Sequence, residues 1–310
     1  MKVIYGIGKA EKKYRKAVLA IGVFDGVHVG HQKLIKKAVE RAKVKRGQTI
    51  VMTFAPHPVK VLRPEIYLPY ITSIPHRLQL IESLGVDVCI VVRFTKSFAQ
   101  LSPENFIQRY LVDHIRPEEI LVGEEFRFGR NREGTIETFQ QAGAKLGFTA
   151  DPMKSVKGLN GKIGSSAIRK LIAAGNISEA AQYLGRFVSL LGKVIKGDGR
   201  GKKIGFPTAN IMLDDEVLPP LGVYVVLVKL DHQTFKGMAN VGHRPSFKDQ
   251  GSPITLEVHI FDFDKNIYGK NILIEFVEKI REEKKFPNVD SLTSQLSKDA
   301  AISKKILAKY

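Results

Sequence analysis

Residues 22–31, GVFDGVHVGH, gather three glycines (Gly22, Gly26, Gly30) and two histidines (His28, His31) into one short stretch. Glycine lets backbone come close to a ligand, and imidazoles beside such a turn supply proton donors. The apolar run at 17–21 precedes it and suits a buried strand. After it, Leu34, Ile35, Ala38, Val39 and Ala42 share one face of a helix over 32–43. A helix beginning near Gly30 or His31 points its free N–H groups and positive dipole end into the turn, where a phosphate is favoured. Two histidines three apart also occur as a solvated or structural pair; the glycine spacing and the strand–turn–helix context favour the anion site.

A second stretch, residues 196–210, reads KGDGRGKKIGFPTAN. Gly197, Gly199, Gly201 and Gly205 allow backbone to wrap a polyphosphate, with Arg200, Lys202 and Lys203 supplying charge. Such a hairpin is also commonly just a mobile loop. Thr208 and Asn210 are two residues apart, so in extended chain they project together as oxygen ligands suited to Mg²⁺. Further on, Leu256, Val258 and Ile260 alternate with Glu257, His259 and Phe261, as on a strand. Glu257 there is either a surface carboxylate or a site residue.

The first half must position the histidine turn. Residues 49–54 predict a second strand, and the Pro-His-Pro run at 56–58 sends a loop from its carboxyl end, the edge where open parallel sheets bind ligands. His57 in that loop reads equally as site or as plain loop. Residues 75–84 predict a helix, 87–94 a third strand, 102–114 a capped helix and 119–123 a fourth strand. The loop at 123–129, with Arg127, Arg130 and Arg132 close by, suits a phosphate or a ring, or forms a solvated hairpin. At 161–172, Ser165 and Ser166 cap a helix from about Ala167, and with Arg169 they make a second phosphate grip or an ordinary capped helix. Alternating strands and helices predict a doubly wound parallel sheet.

From about residue 186 strands dominate, at 188–195, 223–230, 236–241, 255–261 and 271–279, with turns at 197–199, 231–232, 249–251 and 264–266. This predicts an antiparallel barrel or sandwich, followed by a helix at 287–298 and a further one near the C-terminus. The boundary divides the chain into 1–185 and 186–310. The 310 residues suffice for two domains, no run approaches the length needed to span a bilayer, and no signal-peptide core opens the chain. The single cysteine, Cys89, excludes an intramolecular disulfide, so the cytoplasm is the expected compartment. The net charge of +18 suits polyphosphate ligands, and its scatter without a basic aromatic stripe argues against nucleic acid.

GVFDGVHVGH resembles the signature of the HxGH nucleotidyltransferases, and its FDG the flavin-adenylating branch. TFAPHP at 53–58, GEEFRFG at 123–129 and GSSAIR at 164–169 resemble that branch's further landmarks. Residues 197–210 resemble the riboflavin kinase signature, with flanking landmarks at Gly222-Val-Tyr224, 240–247, Tyr268-Gly269 and 281–286. Together they resemble the bacterial bifunctional riboflavin kinase/FAD synthetase family, which implies ATP, Mg²⁺, riboflavin, FMN and FAD as ligands. The resemblance implies catalytic roles for Glu257, His28, His31 and Arg169. It implies ATP binding by Gly22, Phe24, Gly30, Ser165, Ser166, Gly197, Gly199, Arg200, Gly201, Lys203 and Pro207. Flavin binding falls to His57, Glu125, Phe126, Arg127, Tyr224, Arg281 and Phe286, and Mg²⁺ to Thr208 and Asn210. Glu125 stands where the family has Asp or Asn, and Gly164 where it has Ser. A kinase with a drifted adenylating half, adenylation of another phosphorylated substrate, and a basic RNA-binding regulator are the alternatives; a monomer or weak homo-oligomer is expected.

Overall fold

The computed structural model describes residues 1–10, 14–158, 161–197, 199–243 and 254–310. The expected turn at 249–251, Asp198 of the glycine loop and landmark residues 244–247 lie outside the described residues. The chain forms two units, Met1–Leu68 with Ile74–Ser165, and Pro69–Ser73 with Ser166–Tyr310.

The first unit runs β1 (Lys2–Tyr5), β2 (Ala17–Ile21), α1 (Val29–Lys45), β3 (Thr49–Ala55), α2 (Pro58–Leu62), α3 (Ile74–Glu82), β4 (Val88–Arg93), α4 (Lys96–Ala99), α5 (Pro103–Phe106), β5 (Pro117–Gly123), α6 (Ile136–Leu146), β6 (Thr149–Met153) and the short pair β7 (Lys157–Gly158) and β8 (Gly161–Lys162). Strands β1–β6 form one parallel sheet in the order β1-β4-β3-β2-β5-β6. Leu19 and Ile21 of β2 face a core with Phe106 and Phe139, while Val18 and Ala20 face the other, with Leu34 and Ile35 of α1. A strand covered on both faces reads as a continuous apolar run, which is why β2 to β5 are visible in the sequence. The edge strands β1 and β6 are not: β1 buries only Ile4, and β6 carries Asp151 and Pro152. The helix expected over 102–114 is α-helical only in α5 and continues as a π-helical stretch, Ile107–Val112.

The second unit takes in α7 (Ser165–Ala173) from Ser166 onward, then α8 (Ile177–Leu184), β9 (Val188–Ile195), α9 (Arg200–Lys203), β10 (Ala209–Met212), β11 (Gly222–Leu230), β12 (Gln233–His243), β13 (Ile254–Ile260), β14 (Asn271–Arg281) and α10 (Val289–Leu307). Its strands close an antiparallel barrel in the order β10-β13-β12-β11-β14-β9, which leaves no edge unpaired. The four-residue β10, too short to show an alternating pattern, is the strand that completes closure. Helix α10 is one helix where two were expected, because no glycine or proline interrupts residues 289–307. Arg281 on β14 grips Asp299 on α10 through Nε and Nη2, at 3.0 and 2.8 Å, and Asp299 is fully buried.

Residues Pro69–Ser73 join this unit although they lie early in the chain. Tyr70 N–H donates to Asp215 O and Val217 N–H to Tyr70 O, both at 2.7 Å, and Ser73 N–H donates to Glu216 Oε1 at 3.2 Å. Burial pushes the Glu216 carboxyl up to about 7, against the opposing Ser73 hydrogen bonds. A raised carboxyl favours the folded state most at acid pH, and that advantage falls by up to about 3 kcal/mol as pH rises from about 4.5 to 7. Glu216→Gln keeps an acceptor for Ser73 N–H; calorimetry is expected to show a higher Tm than the parent at about pH 8 and none of that gain at about pH 4.

Candidate active sites

The turn at 22–28 leaves β2 at its carboxyl end. Because β3, β2 and β5 are parallel neighbours, the loops after all three emerge at the same sheet edge. The histidine turn, His57 and the Glu125–Arg127 loop therefore share that edge.

Backbone geometry in the turn is unusual. Phe24 (φ 52°), Gly26 (φ 82°) and Val27 (φ 39°) all take left-handed conformations, which Phe and Val adopt only where the surroundings impose them. Those surroundings are specific. Thr53 Oγ1 and Arg77 Nη1 both donate to Val23 O, at 2.8 and 3.0 Å. Arg77 Nη2 pairs with Asp25 Oδ1 at 3.1 Å, and Ser165 Oγ donates to Asp25 O at 2.9 Å. A Cβ on Gly22 would lie 2.9 Å from the Phe24 ring, so glycine is what lets that ring fold back.

His28 caps α1, its Nδ1 accepting the His31 N–H at 3.4 Å, an arrangement that leaves any proton of the neutral ring on Nε2. A Cβ on Gly30 would press on the His28 ring at 3.1 Å. The His28 and His31 rings stack, centroids 3.6 Å apart, and Phe24 packs edge-on against His31 at 5.2 Å. Burial, then His28, then the Arg77 guanidinium hold the His31 imidazole well below its ordinary pKa. His31 is thus a neutral ring at a helix N-terminus, equipped to donate or accept a hydrogen bond.

His57 caps α2, with Nδ1 accepting Val59 N–H at 3.1 Å, so a helix starts within the run read from sequence as loop. Exposed Glu125 pairs with Lys162. Phe126 belongs to an aromatic group with Phe128 and Phe139, at 6.0 and 6.4 Å, and Arg127 Nη1 donates to Phe126 O. Helix α7 starts at Ser165, earlier than expected, and the Ser165 hydroxyl serves the histidine turn instead of capping. Ser166 and Arg169 belong to the second unit, where Arg169 is buried and its Nε donates to Pro69 O at 2.9 Å.

In the barrel, strand register does the assembling. Asn210 of β10 lies opposite Glu257 of β13, which lies opposite Asn240 of β12. Directly paired residues share a face, so the three form a polar row across neighbouring strands. The glycine loop lies against this row. A Cβ on Gly197 would clash with Asn210 Nδ2, and one on Gly201 would clash with Phe206 O and lie 3.5 Å from Thr208 Oγ1. One turn of helix, α9, places Arg200 and Lys203 within the loop that Gly199 opens at φ 69°. His259 Nδ1 contacts Pro207 O at 2.8 Å, tying the 206–210 segment to β13. Arg281 faces Phe286 at 5.7 Å, while the Tyr224 ring is fully enclosed, packed on Phe276. Its hydroxyl donates to Pro220 O, and burial, with Glu282 adding, pushes it up to about 12. The Tyr224 ring is thus covered in this conformation, with Lys279 Nζ also 5.8 Å from its centroid.

Among the described residues no group of three His, Cys, Asp or Glu could hold a metal by itself. Thr208 Oγ1 and Asn210 Oδ1, held beside the glycine loop, are neutral hard-oxygen donors. That set fits Mg²⁺ bound jointly with phosphate oxygens and water.

Sequence reading overlooks Arg77, Asp25 and Thr53 as anchors of the histidine turn, and Asn240 as the cross-strand neighbour of Glu257. Asn240 sits in a recognised strand, but its place opposite Glu257 is set by the β12–β13 register. Nothing local marks Arg77, which is brought in by α3.

A family model described as FAD synthetase matches residues 10–167, and one described as riboflavin kinase matches 184–307. The bifunctional riboflavin kinase/FMN adenylyltransferase of Listeria monocytogenes is 39% identical over 94% of this chain and 93% of its own. The protein of the same description from Bacillus subtilis is 38% identical over 93% of this chain and 92% of its own. A crystal structure from Streptococcus pneumoniae described as a macrolide-efflux protein superposes with a TM-score of 0.85 and 31% identity, covering 98% of this chain and 99% of its own. In the present chain no helix among the described residues is long and apolar enough to cross a membrane.

Imidazole ¹⁵N NMR is expected to find His31 still neutral at about pH 6, because burial, His28 and the Arg77 guanidinium disfavour its proton. An imidazolium spectrum for His31 at that pH would contradict the geometry.

Proposed function

This chain belongs to the bifunctional riboflavin kinase/FMN adenylyltransferase family, and from that premise we propose how it makes FAD: the barrel phosphorylates riboflavin to FMN, and the parallel-sheet unit adenylates FMN. Residues 186–310 are assigned to the first step and 1–185 to the second. The observation that carries the reading is the Asn210–Glu257 pairing beside the glycine loop, which sets a base against a polyphosphate cradle.

In the kinase step, Glu257 accepts the proton of the riboflavin 5′-hydroxyl as that oxygen bonds to the γ-phosphorus of ATP and the bond to ADP breaks. Backbone of Gly197, Gly199 and Gly201, with Arg200, Lys203 and Pro207, cradles the nucleotide. Thr208 and Asn210 would hold Mg²⁺, which when bound neutralises charge on the phosphates. Arg281 and Phe286 flank the flavin, and Tyr224 stiffens the wall from inside.

In the adenylyl step, a phosphate oxygen of FMN bonds to the α-phosphorus of a second ATP and pyrophosphate leaves. No covalent intermediate with the protein is required. Gly22, Phe24 and Gly30 let the nucleotide approach, and the α1 N-terminus with Ser165 meets its phosphates. His28 and neutral His31 hydrogen-bond the charge developing on the leaving pyrophosphate. His57, Glu125, Phe126 and Arg127 hold the flavin; the Glu125–Lys162 pair must open or turn aside for Glu125 to do so. The cytoplasm, where both substrates are available, is the compartment this reading assigns.

Chromatography of products from riboflavin, ATP and Mg²⁺ is expected to show both FMN and FAD; FMN alone would leave a kinase with a silent adenylating half. Glu257→Ala or Asn210→Asp should lower FMN formation by about 100-fold or more while supplied FMN is still adenylated. His28→Ala with His31→Ala should do the reverse, by about 100-fold or more. Loss of both activities in either variant would overturn the two-site reading.

A further inference from the structure

We propose that Arg77 is a positioning residue for adenylyl transfer: its guanidinium ties Val23 to Asp25 and thereby sets the turn that presents His28 and His31. The inference rests on the adenylyltransferase reading of the first unit.

Arg77 and Asp25 are 0% and 1% exposed, so neither reaches a substrate in this conformation and neither is a solvated surface pair. A buried ion pair is a poor device for stability alone, since apolar side chains of similar volume do as well or better. What the pair does supply is geometry. Nη1 reaches Val23 O at 3.0 Å and Nη2 reaches Asp25 Oδ1 at 3.1 Å, so one planar group grips both neighbours of Phe24. Phe24 is the first of the left-handed residues in the turn, and its ring packs against His31. The fork of Arg spans two acceptors at once, which the single ammonium of Lys cannot reproduce in the same plane. Thr53 shares the Val23 acceptor and Ser165 the backbone of Asp25, so the guanidinium completes a closed set of anchors. Its charge also acts on His31, lowering that imidazole's affinity for a proton.

The test measures steady-state adenylation of supplied FMN and riboflavin phosphorylation in the same preparations of the full chain, for the parent, Arg77→Met and Arg77→Lys. Arg77→Met is expected to lower the adenylation kcat by about 30- to 100-fold, with the KM for ATP changed less than about threefold, because misplacing groups by about 1 Å costs that much. Arg77→Lys, retaining the charge and one acceptor, should recover part of the loss and remain about 3- to 10-fold below the parent. Phosphorylation should stay at the parent rate in both. Parent-level adenylation in folded Arg77→Lys and Arg77→Met, even with a lowered Tm, would overturn the proposal by showing a structural role only. If protease resistance shows that the first unit of Arg77→Met is unfolded, Arg77→Lys decides on the same criterion. A parent protein that forms FMN and never FAD would instead overturn the adenylyltransferase reading, and this inference with it.

Discussion

The first unit depends on the contact between a buried guanidinium and a strained turn. Helix α1 can present its N-terminus at the sheet edge only if the chain reverses within a few residues after β2, and that reversal passes through left-handed Phe24, Gly26 and Val27. Two of these are not glycine, so the conformation is held from outside, by Thr53, Arg77 and Ser165 converging on Val23 and Asp25. Once it is held, the remaining features follow. His28 caps the helix, Gly30 makes room for its ring, and His31 stacks beneath it in neutral form. The two histidines are therefore shaped by a network that lies behind them.

In the second unit the controlling constraint is register in a closed barrel. Closure requires β10 to pair with both β9 and β13, and this pairing is what sets Asn210 opposite Glu257. A slip of one residue would turn Asn210 to the other face. The glycines of the loop answer to the same constraint, since Gly197 and Gly201 pack where any side chain would displace Asn210 or the backbone before Thr208. Flexibility is thus not their main use; close approach is.

Charge takes different forms in the two units. In the first, the Arg77–Asp25 pair is buried, and the guanidinium charge that acts on His31 is fixed in place. In the barrel, Arg200 and Lys203 sit on one turn of helix in the glycine loop, exposed to solvent and able to meet an incoming polyphosphate. The net charge of +18 favours such ligands by raising their concentration near the surface.

Local pattern determined a good deal of this protein. Fully buried parallel strands, the amphipathic α1, the barrel strands from β9 to β14 apart from β10, and both glycine-rich stretches are legible because each rests on residues adjacent in sequence. The edge strands β1 and β6 and the short β10 are not, since one-sided burial or short length leaves no periodic signal. Tertiary structure alone decided that Arg77 serves the histidine turn, that Asn240 joins Glu257, that Tyr224 is enclosed, and that Pro69–Ser73 packs with the barrel unit. Each of these is a pairing between distant segments, and hydrogen-bond geometry, register and burial between such segments exist only once the chain has folded.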